Sequence, residues 1–124
     1  MSNVTGKVGK NCKIHKYVSI HDNVVIGDNC KIQSYAFIPN GVIIEDEVFI
    51  GPHVCFTNDA KMDGDMSAGT LVKKGAKIGA NATILSGVVI GENAVVGMGS
   101  VVLEHIYKNE VWAGNPAKFI KLND

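Results

Sequence analysis

A chain of 124 residues, 46% of them hydrophobic, suits one domain with a continuous core. Twelve lysines offset twelve acidic residues and arginine is absent, so the whole-chain charge attracts neither nucleic acid nor an anionic membrane surface. No apolar run approaches a membrane span, the first ten residues carry no leader-like segment, and three cysteines are too few for a disulfide scaffold; the expected compartment is the cytoplasm.

From Val8 onward every sixth residue is a branched aliphatic. The series runs Val8, Ile14, Ile20, Ile26, Ile32, Ile38, Ile44 and Ile50, and Phe56 closes it. A helix would show a period near 3.6 and an ordinary strand a period of 2, so a strict six belongs to a solenoid whose units bury their apolar faces by stacking. Two positions before each anchor the residue is small or β-branched, from Gly6, Cys12 and Val18 to Val54. Three hexads then form one triangular coil of eighteen residues. The large aliphatic fills the interior and the small residue sits near the corner. Cys12 and Cys30, eighteen apart, share one inward slot and are expected to be free thiols acting as small hydrophobes. Tyr17, Tyr35 and His53 have the same spacing, which predicts a ladder of rings at one corner. His15 and His21 fall at outward, solvated positions.

Sixteen residues separate Phe56 from the next anchor, Val72, so a loop over 58–69 leaves the prism. It is polar and acidic, and on a solenoid with smooth flanks such an excursion is what builds a wall around a ligand. A second register follows through Val72, Ile78, Ile84, Ile90, Val96 and Val102. Fifteen hexads predict five coils, spanning 6–56 and 70–102, in a stack roughly 24 Å tall at about 4.8 Å per coil. The segment 103–124 leaves the pattern, and Trp112 and Phe119 are expected to pack it back onto the prism or onto a neighbour. Val25, Ile43, Leu71 and Val89 are apolar at outward positions, and Tyr35, Phe37 and Phe49 add to them, which marks a contact between copies.

The hexads resemble the left-handed parallel β-helix of the hexapeptide-repeat acyltransferases, and the handedness rests on that resemblance. Glu45 to Pro52, followed by Phe56-Thr57-Asn58-Asp59, resembles the approach to the active-site loop of the nucleotide-linked 3-amino-sugar N-acetyltransferases. The run from Thr70 to Val102 continues the likeness, and Ala113-Gly114-Asn115-Pro116-Ala117-Lys118 is similar to the family's Gly-x-Pro-x-basic tail. The resemblance implies a homotrimer with sites between neighbours. It also implies acetyl-CoA as co-substrate, lying along turns such as Gly79-Ala80 and Gly97-Met98, with Leu103 beside it and Lys118 toward its 3′-phosphate. Where the family often has Thr-Lys after the last anchor, this chain has Leu103-Glu104, and its loop is short and lacks a Pro-Arg element.

The chemistry narrows the acceptor. A neutral amine attacks a thioester without a strong base, whereas a hydroxyl needs one. The loop contains no histidine. Asn58, at its mouth, resembles the loop-entry Asn that contacts the sugar amine in the amino-sugar branch, which implies that it orients the amine. Asp59, the nearest ionisable group, is the candidate to take the proton, and His53 is the reserve base. The amino sugar implied is UDP- or dTDP-linked and serves a surface glycan. Two rivals stand beside this reading: a sugar O-acetyltransferase using His53, and a non-catalytic β-helix scaffold, which the short loop and Leu103-Glu104 would suit. The first three histidines lie 6 and 32 residues apart and the fourth 52 further on, which gives no close ligand set, so no metal is expected.

Overall fold

The computed structural model describes residues 2–64 and 69–123. Each hexad forms a short strand whose last residue points inward, and the strands stack into three parallel sheets around one core. The first face stacks β1 (Asn3–Val4), β4 (Ser19–Ile20), β7 (Phe37–Ile38), β10 (Cys55–Phe56), β13 (Thr83–Ile84) and β16 (Val101–Val102). The second stacks β2 (Lys7–Val8), β5 (Val25–Ile26), β8 (Val42–Ile44), β11 (Thr70–Val72) and β14 (Val89–Ile90). The third stacks β3 (Lys13–Ile14), β6 (Lys31–Ile32), β9 (Phe49–Ile50), β12 (Lys77–Ile78), β15 (Val95–Val96) and β17 (Glu110–Gly114), and β18 (Ala117–Leu122) closes it antiparallel to β17.

The anchors make the core. Ile32, Ile38, Ile50, Ile78, Ile84 and Ile90 are all fully buried, as is Phe56. Burying each such side chain contributes about 1.5–3 kcal/mol. The small residues before them, among them Ala36, Ala76, Ala82 and Ala94, are equally buried. Cys12 and Cys30 are free, as expected, and each thiol donates to a carbonyl of the coil above: Cys12 to Gly27 and Cys30 to Glu45, both at 3.1 Å. Burial pushes the Cys30 thiol up to about 11.

The coil count differs from the expected five. There are about six, because the solenoid continues at both ends beyond the hexads. β1 pairs with β4 below the first anchor, and at the top Ile106 is buried and bridges Ile90, leading into β17 beside β15. Both extra coils are two residues short, since Asn3 pairs with Ser19 and Val95 with Val111. In each the missing residues come from the step between the first and second faces, where Val4 to Val8 and Val102 to Ile106 take four residues. The long excursion from Phe56 to Val72 lies at this same corner. Thr70 nevertheless pairs with Val42 and Thr83 with Cys55, so the insertion leaves the stacking intact.

The expected ring ladder stands at the corner between the third and first faces. Tyr17 stacks on Tyr35 at 5.2 Å, and Tyr35 on His53 at 4.8 Å. All three residues adopt left-handed backbone conformations, with φ of 64°, 67° and 60°. Bulky residues rarely do so, and the stacking offsets that cost.

Candidate active site

The loop corner is built from two threonines. The Thr57 hydroxyl accepts the Ser86 N–H at 2.9 Å, and the Thr70 hydroxyl accepts the Gly87 N–H at 3.1 Å. The two ends of the excursion are thus fastened to one turn of the next coil, and Thr70 is buried while doing so. Sequence reading missed this role, although a threonine immediately flanking each end of the loop was its visible signal.

Asn58 is half-buried at the loop mouth, directly after Thr57. Asp59 shapes the loop itself. Its carboxylate accepts the Asp63 N–H at 3.0 Å and the Gly64 N–H at 2.6 Å, and its carbonyl accepts the Met62 N–H at 3.1 Å. This is turn chemistry of the kind aspartate favours. The segment 65–68 lies outside the described residues.

His53 stands elsewhere. The strand β10 separates it from Asn58, so the two occupy opposite edges of the first face. Its exposed ring stacks on Tyr35 with planes 9° from parallel. Within one prism, then, Asn58 and Asp59 come together and His53 does not join them.

The expected donor residues divide in the same way. Gly79-Ala80 and Gly97-Met98 lie on the His53 edge, one coil apart. Neither glycine has the positive φ that a corner glycine would suggest. The reason for Gly79 is close approach: a Cβ there would lie 2.6 Å from the Met98 nitrogen. The absent side chain lets the next coil seat. Met98 projects outward with 80% exposure. Lys118 pairs with Ala113, the residue stacked over Gly97, so its backbone tops this column. Its ammonium reaches Glu104 at 3.8 Å. Leu103 stands on the other edge, half-exposed at the loop corner.

Beside the loop ends lies a recess of about 680 Å³, lined in part by Ser86, Gly87, Leu103, Glu104 and His105. It exists because the top coil cuts this corner short. His105 was not singled out from sequence, yet the structure fixes its ring, since Nδ1 accepts the Val89 N–H at 2.9 Å. The neutral ring therefore carries its proton on Nε2 and can only donate to a ligand. Trp112 packs against the core and donates Nε1–H to Glu110 at 3.1 Å, whereas Phe119 remains 48% exposed. Among the described residues no group of three or more His, Cys, Asp or Glu side chains gathers to hold a metal ion.

The family model described as bacterial transferase hexapeptide (six repeats) matches residues 5–40 and 69–104, more than half of the chain, with the loop and coil residues 41–56 between the two segments. This chain belongs to that family. A search of curated proteins by sequence finds no match. Among solved structures, the hexapeptide transferase is similar to a galactoside acetyltransferase in complex with coenzyme A, with a TM-score of 0.85 and 28% identity over 95% of this chain and 65% of that one. It is similar to a maltose O-acetyltransferase from Clostridium difficile 630, with a TM-score of 0.80 and 25% identity over 95% of this chain and 70% of that one. A perosamine N-acetyltransferase from Caulobacter crescentus, in complex with CoA and GDP-perosamine, shares the fold at a TM-score of 0.70 and 22% identity. There the coverage is 97% of this chain and 56% of that one. The hexapeptide transferase thus adopts the left-handed parallel β-helix of its family and spans roughly half to three quarters of the length of these proteins.

Proposed function

We propose that this hexapeptide transferase moves the acetyl group of acetyl-CoA onto the amino group of a nucleotide-linked amino sugar destined for a surface glycan. The observation that carries the reading is the loop corner: Asn58 sits half-buried at the mouth of an excursion that contains no histidine, on a prism of the acetyltransferase kind. An amide can orient an amine lone pair, and an amine requires no strong base. Galactoside acetyltransferase and perosamine N-acetyltransferase, both solved with CoA, support the choice of donor.

In this reading the thioester lies against the Gly79–Ala80 and Gly97–Met98 column, with Lys118 toward the 3′-phosphate. Leu103, at the loop corner, would meet the donor from the acceptor side. The donor column and Asn58 stand on opposite edges of one face, so one prism supplies only half of each site. A homotrimer, packed in part through the apolar row Val25, Ile43, Leu71 and Val89, brings the loop edge of one copy to the donor edge of the next. Turn N–H groups then polarise the thioester carbonyl, and Asp59 takes the proton directly or through water. The proposed compartment is the cytoplasm, where acetyl-CoA is made.

A second reading is favoured by the likeness to a maltose O-acetyltransferase: transfer to a sugar hydroxyl with His53 as base. Acetyl transfer to a panel of UDP- and dTDP-linked amino sugars, set against maltose and galactosides, separates the two. Asn58→Ala should cost at least tenfold in kcat/KM on an amino sugar while His53→Asn costs little. The reverse order, with turnover on a hydroxyl acceptor, would establish O-acetylation. A melting temperature unmoved by millimolar acetyl-CoA would refute both in favour of a scaffold.

A further inference from the structure

The three faces of the prism differ in what they show to solvent. At the outward position the first face carries Asn3, Ser19, Phe37, Cys55, Thr83 and Val101, with no charge at all. The second face is apolar above Lys7. The third face reads Lys13, Lys31, Phe49 and Lys77 on four successive coils, directly in register. All three lysines are exposed, and none takes part in an ion pair among the described residues. Lys10 and Lys16 flank the row at the two corners of the lowest coil, and no acidic residue precedes Asp22.

Like charges placed directly opposite on neighbouring strands are destabilising. Lys13 and Lys31 stand opposite each other with no anion between them. Three of the twelve lysines share this one column in a chain of zero net charge, beside a corner that stacks Lys10, Asp28 and Asp46, and such a row of ammonium groups makes sense where an anion spans it. Above Lys77 the column turns apolar at Val95 and Val111, and on the four coils below, its one uncharged member is an aromatic ring. Phe49 lies half-buried between Lys31 and Lys77 in a recess of about 530 Å³, edged by Asn29 and Glu47. A ring flanked by ammonium groups offers a stacking platform to the apolar side of a pyranose and partners to its carboxylate or sulfate substituents.

We propose that the third face binds an anionic polysaccharide laid along the prism axis. This surface lies apart from the loop corner, and the inference stands whether or not the chain transfers an acetyl group. A nucleic acid suits the face less well. A flat prism side has no helix or ribbon to enter a duplex groove, and the chain has no arginine for bidentate phosphate contacts.

The test is binding of the intact protein to fluorescent polygalacturonate and dextran sulfate at low salt, with neutral dextran and a charge-matched single-stranded oligonucleotide as comparisons. The expected result is binding to at least one anionic glycan that weakens as salt rises, with none to neutral dextran. Lys31→Gln/Lys77→Gln should weaken it at least tenfold and Phe49→Ala at least threefold. Lys7→Gln/Lys61→Gln, one on the second face and one in the loop, should leave it within twofold. Circular dichroism melts confirm that each variant is folded. Absence of binding to both anionic glycans, equal loss in the off-face variant, or tighter binding of the oligonucleotide would each overturn the proposal.

Discussion

The ammonium of Lys118 and the carboxylate of Glu104 meet at 3.8 Å across the top of the prism, with side chains 68% and 60% exposed. An ion pair this open contributes little to stability, typically 0–1 kcal/mol. Its consequence for the proposed reaction is competition, because the carboxylate holds the cation that would meet the CoA 3′-phosphate. Glu104→Gln should therefore lower KM for acetyl-CoA a few-fold and Lys118→Gln should raise it, both with melting temperatures within about 2 °C of the parent. Steady-state kinetics at two salt concentrations check this, and equal effects of the two variants would refute it.

Gly79→Ala should destabilise the prism by on the order of 2 kcal/mol or more, since the new Cβ meets backbone rather than a movable side chain. Ile50→Ala, which empties a fully buried site, should cost about 2–5 kcal/mol. Urea unfolding of both variants gives the comparison. A Gly79→Ala protein as stable as the parent would show that the coils can part there without loss.

The ring ladder makes a graded prediction. His53→Asn keeps a residue tolerant of left-handed φ and loses only the stacked ring, which is worth about 0.5–1.5 kcal/mol. His53→Ala loses the ring and strains the backbone as well, so it should be the less stable of the two. His53→Tyr continues the ladder and should restore most of the difference. Thermal melts of the three variants suffice.

Cys30 sets a pH limit on stability. Its folded-state value of about 11 lies above the ordinary thiol value of 9.0, because burial disfavours the thiolate. The folded protein therefore holds its proton more tightly than the unfolded chain. That contribution, on the order of 2–3 kcal/mol, is complete below pH 9 and is lost as pH rises toward 11. Urea midpoints should fall across this window in the parent and stay flatter in Cys30→Ala once the baseline cost of that variant is subtracted.

Removing residues 59–68 returns the step from Phe56 to Val72 to six while retaining Thr57 and Thr70. The protein should fold with a melting temperature within about 5 °C of the parent, because the register above and below is already continuous. Acetyl transfer should vanish. Failure to fold would mean that the loop braces the prism.

The parts of this molecule that repeat were readable in the sequence, because one physical requirement recurs at every anchor. Ile20 and Ile84 obey the same rule in different coils, and the ladder of Tyr17, Tyr35 and His53 followed from spacing alone. The end coils were not readable. Val4, exposed at the open end, and the buried anchor Ile106 each lie only four residues from the neighbouring anchor, and a period of six passes over them. Roles set by tertiary partners were also hidden. Thr57 and Thr70 look like ordinary loop-flanking residues until Ser86 and Gly87 are seen beside them. Gly79 looked like a turn glycine, and its purpose is the nitrogen of Met98. Asp59 was read from sequence as a proton acceptor, and the geometry shows its carboxylate accepting two N–H groups of its own loop.

Every departure from the six-residue step, two contractions and one long excursion, falls on the edge between the first and second faces. The other two edges keep time for the whole stack. What happens on the irregular edge is therefore decoupled from the rungs, and its length is free to vary without any strand losing its partner. Foldability and whatever chemistry that edge carries are inherited as separate traits, so an exchange of one short segment is enough to give the same framework a new task.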